Sequence, residues 1–150
     1  MTLTIRINHQ KVHPQIFETM MKLETLITES GLDPTLYNLI KIRASQINGC
    51  SFCIDMHAKE LQRKGESLDR ILLLTVWREV PIYTNAEKAV LELTEYVTRV
   101  AEDGVPDHVY QNVLQYYSEK EFLTFIMAIN TINSWNRLGI ATGMFPGCFL

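Results

Sequence analysis

Apolar positions recur along this chain at three- and four-residue intervals between short polar breaks, the pattern of amphipathic helices. Phe17, Met20, Leu23 and Ile27 place one apolar stripe on a helix from about Pro14 to Ser30, with Gly31 as its stop. Asp33 suits the cap of the next helix and Pro34 its first position; this helix carries Leu36, Leu39, Ile40 and Ile47 and ends at Gly49. Ser51 is the expected cap of a third helix that reaches Lys64 before Gly65. Ser67 caps a segment with the run Ile71-Leu72-Leu73-Leu74-Thr75-Val76-Trp77. Periodicity alone would allow a buried strand there, but the cap and the helical surroundings favour a helix.

Thr84-x-x-Glu87 is a capping-box pattern for a long helix to about Ala101. Gly104 and Pro106 separate it from a shorter helix with Val109, Val113 and Tyr117. Ser118-x-x-Glu121 starts the last helix, which runs through Phe122, Phe125, Ile126, Ile129 and Ile132 towards Arg137. The expected fold is all-α: a single helical domain over residues 1–150, with about seven helices. The fourth and last of these are apolar on more than one face, so contacts between copies of the chain are expected to cover the excess.

Composition narrows the class. A chain of 150 residues with 47% hydrophobic and 21% charged residues can bury a sizeable core. The net charge of -3 and the absence of a Lys/Arg stripe argue against nucleic acid or an anionic membrane as partner. The first six residues lack the apolar core of a signal peptide, and no apolar run approaches the ~18–20 residues of a membrane span. A cytoplasmic protein is expected. Three cysteines, at 50, 53 and 148, do not resemble a secreted disulfide framework.

The candidate chemistry lies in Cys50-Ser51-Phe52-Cys53 with His57 four positions on. On a helix, positions 50, 53 and 57 share one face. A thiol becomes reactive as thiolate, and a free one titrates near ~8.5. Cys50 follows a helix-ending glycine and sits where a new helix offers free backbone N–H groups, which favour an anion. Cys53 lies one turn below His57, which can take its proton. These arguments favour different sulfurs, so spacing leaves open which attacks first. A zinc site is the competing reading: Cys50, Cys53 and His57 supply three ligands and Cys148 a fourth. No second C-x-x-C or H-x-x-x-H supports it, so a redox pair is preferred. An inert pair is the bland alternative.

At this point the residues resemble a known family. Ile42-Arg43-Ala44-Ser45-Gln46-Ile47-Asn48-Gly49-Cys50, followed by Cys53-Ile54-Asp55-Met56-His57, is similar to the core of the alkylhydroperoxidase D-like branch of the carboxymuconolactone decarboxylase family. Trp77-Arg78-Glu79 and Trp135-Asn136-Arg137-Leu138 carry the likeness further, over about residues 13 to 146. The resemblance implies an all-helical fold assembled into trimers or hexamers, and thiol chemistry that reduces hydroperoxides without a bound cofactor. It implies Cys53 as the attacking thiolate, Cys50 as the resolving partner and His57 in the proton relay. The expected partners are a small-molecule hydroperoxide and an external dithiol or protein reductant. The alternatives are a non-enzymatic helical oligomer that senses redox state or binds zinc, and a family enzyme acting on a lactone-type molecule.

The chain departs from the pattern at one position. The family has a glutamate twelve positions before the first cysteine, where this chain has Asn38. Asparagine can orient a histidine but cannot accept a proton at neutral pH. Asn38 is therefore weighed equally as a relay member and as a surface residue, and Glu79 and Glu87 are the candidates for a replacement carboxylate. Elsewhere the plain readings are preferred. Trp77 and Trp135 are expected as core or interface anchors, and Arg78 and Arg137 as partners of carboxylates. Cys148 is taken as an incidental thiol, Met20 and Met21 as core filler. His9, His13 and His108 are expected to be solvated, and Glu92 and Glu95 to face solvent.

Overall fold

The computed structural model describes residues 2–149. Among these residues all regular structure is helical: α1 (His9–Val12), α2 (Pro14–Glu29), α3 (Pro34–Asn48), α4 (Ser51–Arg63), α5 (Leu68–Leu72), a 3-10 stretch (Leu73–Glu79), α6 (Asn85–Thr98), α7 (Val100–Asp103), α8 (Asp107–Leu114) and α9 (Glu119–Thr142). The all-α expectation holds, with more and shorter pieces than the periodicity suggests.

The expected caps account for most boundaries. The Asp33 carboxylate accepts from the Thr35 N–H at the start of α3, and Gly49 ends that helix in the left-handed conformation, φ 72°. Thr84 with Glu87, and Ser118 with Glu121, form complete capping boxes at α6 and α9. Three segments differ from expectation. Cys50, not Ser51, is the N-cap of α4: its sulfur accepts from the Cys53 N–H at 3.4 Å. The fourth segment breaks into α5 and the 3-10 stretch, with a kink at Val76 (φ -120°) that turns Trp77 inward. The helix from Thr84 is interrupted at Arg99, so α7 is a separate turn. α9 runs past Arg137 to Thr142, where Gly143 ends it at φ 78°.

α3 is the central element and packs against α4, α6 and α9. Leu36 and Ile40 join Ile27, Val90, Leu93, Val113, Phe125 and Ile129 in the larger core. Leu39 and Ile42 meet Leu61, Leu74, Trp77 and Leu91 in a second. Each such side chain removed from water contributes about 1.5–3 kcal/mol. A third, smaller cluster gathers Ala44, Cys50, Cys53 and Ile132, with Phe52 and Trp135 against it. The packing of α3, α4 and α9 therefore also fixes the cysteine pair. On the outside, Leu68, Leu72 and Val76 of the fourth segment and Leu123 and Ile140 of α9 stay exposed, alongside Leu26 of α2. Among the described residues no helix is long and apolar enough to cross a membrane.

Candidate active site

Cys50 and Cys53 stand at the first turn of α4, their Cα atoms 5.4 Å apart and their sulfurs joined in a disulfide. Both are nearly inaccessible, at 2% and 3% exposure. The local sequence explains the placement. Gly49 reverses the chain at the end of α3, which lets Cys50 cap α4 and puts Cys53 and His57 on the buried face of that helix. α9 approaches closely on the other side. A β-carbon at Gly139 would lie 3.3 Å from the Cys50 sulfur and 3.9 Å from the Met144 sulfur, so a side chain at this position would press on the Cys50 sulfur. Cys148 is free and half-buried.

His57 is buried, and its Nδ1 lies 3.1 Å from Oδ1 of Asn38, which is fully buried. Asn38 donates through Nδ2 to the Pro34 carbonyl at 3.0 Å. That bond sets the amide orientation, so Oδ1 accepts from His57 Nδ1–H and the lone pair is left on Nε2. Asn38 is thus a site residue and not a surface one. Burial pushes the His57 pKa down to about 4; the Lys41 charge adds to this, and Glu60 and Glu24 oppose it. His57 is consequently neutral at physiological pH, a proton acceptor.

The structure does not bring Glu79 or Glu87 to His57. Glu79 is exposed at the end of the 3-10 stretch. Glu87 is engaged by Arg70 at 2.6 and 3.1 Å and by its own helix cap. The carboxylate near His57 is Glu60, one turn on in α4, with an oxygen 3.8 Å from Nδ1. The spacing from His57 to Glu60 is helical, so this residue was detectable in the sequence.

Behind the histidine lies a charged network that sequence reasoning missed. Lys41 is fully buried and donates to Glu24 and to Thr131, each at 2.7 Å. Glu24 also accepts from Tyr37 (2.5 Å) and Trp135 (3.0 Å). Burial raises the Glu24 pKa, but Lys41, Tyr37 and Trp135 outweigh it and hold the carboxyl below its ordinary value. Burial and the neighbouring Glu24 carboxylate push the Tyr37 hydroxyl far up, so it stays protonated. A chain of amides continues along α9. Asn48 donates to Asn133 and Asn136, and Asn136 donates to Ser45.

Other expectations sort as follows. Glu95 is buried, not solvated: it accepts from Arg43 (2.9 Å), Trp77 (2.9 Å) and Arg78 (2.7 Å). Arg78 therefore has the carboxylate partner expected of it, and a longer contact to the half-buried Glu92, while Arg137 is exposed. His13 and His108 are exposed, but His9 is buried and packs beside the rings of Phe17 and Trp135. The reason is that α1 folds back over α2 and α9, held by the bond from Arg6 N–H to the Thr142 carbonyl. Met20 is buried, whereas Met21 is 44% exposed. Beside His57 opens a cavity of about 480 Å3, walled by α1, α2, α4, Trp135 and the C-terminal segment. Among the described residues no three His, Cys, Asp or Glu side chains are placed to hold a metal ion.

Comparison with known proteins agrees with this picture. Residues 14–96 match the model of the carboxymuconolactone decarboxylase family, and the chain belongs to that family. YdfG, an uncharacterized protein of Bacillus subtilis, is 41% identical over 138 residues, 92% of this chain and 94% of its own length. A crystal structure from Agrobacterium tumefaciens, of a protein of unknown function proposed to be an antioxidant defence protein AhpD, is 42% identical. It superposes with a TM-score of 0.92 over 95% of this chain and 99% of its own. The alkylhydroperoxidase AhpD core of an uncharacterized peroxidase-related protein from Ralstonia eutropha shares the fold. Its TM-score is 0.82 at 15% identity, over 92% of this chain and 74% of its own. The chain has the alkylhydroperoxidase D-like fold, and its cysteine pair fits a redox role.

Proposed function

We propose that the protein is a cytoplasmic thiol-dependent peroxidase, one domain per chain, that reduces hydroperoxides through Cys53 and Cys50. The observation that carries this reading is the bonded cysteine pair at the start of α4, one turn from a neutral histidine. In the dithiol form, His57 Nε2 takes the Cys53 proton. The thiolate attacks the terminal hydroperoxide oxygen, an alcohol leaves, and Cys53 becomes a sulfenic acid. The Cys50 thiol then displaces water from that sulfur, which closes the 50–53 disulfide. An external dithiol passes two electrons and two protons back and restores the pair. Asn38 holds the histidine tautomer without adding charge. A carboxylate in its place would stabilise the imidazolium formed when His57 takes the proton; the neutral amide does so less, and the thiolate is correspondingly less favoured.

The exposed apolar residues of the fourth segment and of α9 support assembly of copies, and we propose a trimer or hexamer; light scattering at micromolar concentration should show it. Peroxide consumption with a dithiol reductant tests the chemistry. Cys53→Ser should abolish turnover. Cys50→Ser should consume one equivalent of peroxide and stop, with a sulfenic acid trappable on Cys53. Turnover that survives in Cys53→Ser would refute the reading.

A further inference from the structure

The 480 Å3 cavity beside His57 has a composition that selects its occupant. Its wall is mainly rings and thioethers: Phe17, Trp135, Phe52 and Phe149 with Met21 and Met56. The volume suits a small organic molecule of one to three rings. It far exceeds the space of a few atoms.

The polar groups around it are electrically quiet. Glu24 carries a charge but is neutralised by Lys41 at 2.7 Å and bonded to Tyr37 and Trp135. His57 is neutral and bonded to Asn38. Glu60, half-exposed in the wall, disfavours an anion. Nothing in this wall supplies an unpaired positive charge to a carboxylate or phosphate.

One group in the wall has no partner. Both ring nitrogens of His9 are buried and bond to nothing, and burial holds the ring neutral by pushing its pKa down. A buried polar group left unpaired costs about 1–3 kcal/mol. A neutral imidazole offers one donor and one acceptor. A ligand hydroxyl or carbonyl that meets the ring, after a small turn between Phe17 and Trp135, removes that cost.

We propose that this cavity binds an uncharged, ring-bearing small molecule, oriented by a hydrogen bond from its hydroxyl or carbonyl to His9. Binding is independent of the thiol chemistry; only its use, to seat an organic molecule beside His57, rests on the peroxidase reading.

Isothermal titration calorimetry of the whole chain with three naphthalene derivatives tests it. Uncharged 2-naphthol should bind at one per chain, at least ten-fold tighter than the 2-naphthoate anion and several-fold tighter than naphthalene, which lacks the polar group. His9→Phe keeps a ring between Phe17 and Trp135. It should weaken 2-naphthol five- to ten-fold, about the worth of one hydrogen bond, and leave naphthalene unchanged. Met21→Trp starts from an exposed side chain, so the fold is not at risk, and should block all three by filling the cavity. The proposal is overturned if 2-naphthoate binds as well as 2-naphthol, or if Met21→Trp leaves binding intact. It is also overturned if the assembled protein binds none of them because a second copy fills the cavity. Binding in a protein without peroxide turnover would refute the peroxidase reading and leave this one standing; turnover without binding would do the reverse.

Discussion

Two buried carboxylates, on opposite sides of α3, are built to the same plan and end with different consequences. Glu24 accepts from Tyr37, Lys41 and Trp135; Glu95 accepts from Trp77, Arg78 and Arg43. In each case burial raises the carboxyl pKa and the donors more than reverse it. Each set has one tryptophan N–H and one cation from α3, and these cations are two residues apart, so a helix aims them to different sides. The difference is water. Lys41 is fully buried, whereas the Arg78 side chain is 49% exposed and stacks over the Trp77 ring at 4.0 Å. The Glu95 cluster ties α3, α6 and the 3-10 stretch together at the edge of the fold. The Glu24 cluster has its cation fully buried and sits beside His57, where burial is the main force keeping the ring unprotonated, Lys41 adds to it and Glu24 opposes it. Similar donor sets thus make a brace at the edge of the fold in one place and a buried ion pair beside a base in the other.

The largest expected effect comes from breaking the cluster with the buried cation. Lys41→Met leaves Glu24 buried without its cation and should lower stability by about 3–5 kcal/mol, read by denaturant unfolding. A loss under about 1 kcal/mol would mean that the two clusters do not differ in burial as described.

Acid probes the tuned histidine. The unfolded chain binds a proton at His57 near 6.5, the native chain near 4. Between these values the unfolded state holds more protons, so stability falls as pH drops through the window. The accumulated loss is about 3 kcal/mol, complete below pH ~4. His57→Phe should flatten that part of the curve; an unchanged slope would show that His57 is not held neutral by burial.

The brace should give less. Glu95→Ala leaves the Trp77 and Arg43 donors without their acceptor and should cost about 1–3 kcal/mol. Arg78→Ala, at the wet end, should cost under about 1 kcal/mol and fall further in high salt. An Arg78 effect as large as that of Lys41 would erase the distinction.

The helices that begin and end on side-chain signals could be read directly. Asp33 with Pro34, the two capping boxes and Gly49 each act within a few residues, and α3, α6 and α9 start where they predict. The kink at Val76 could not, because it serves Trp77, whose indole N–H must reach Glu95 18 positions away. The cysteine pair and His57 were legible because helical spacing alone puts them on one face. Position 38 stood out only as a departure from a family pattern; that its amide is fixed by the Pro34 carbonyl is a three-dimensional fact. Lys41 and Glu24, 17 positions apart, carry no local mark of a buried pair. His9 misled because a histidine at the start of a short helix is ordinarily wet, and the fold-back of α1 is settled by contacts with α9.

Gly139 gives the last lesson. A glycine inside a helix costs up to about 1 kcal/mol relative to alanine, and α9 places one in its last turn, facing the Cys50 sulfur. The missing methyl is an empty berth. A sulfur that alternates between thiol and disulfide has to occupy slightly different positions, and a rigid wall there would favour one of them. A side chain at position 139 would crowd that sulfur, so the choice of residue there answers to the neighbouring helix.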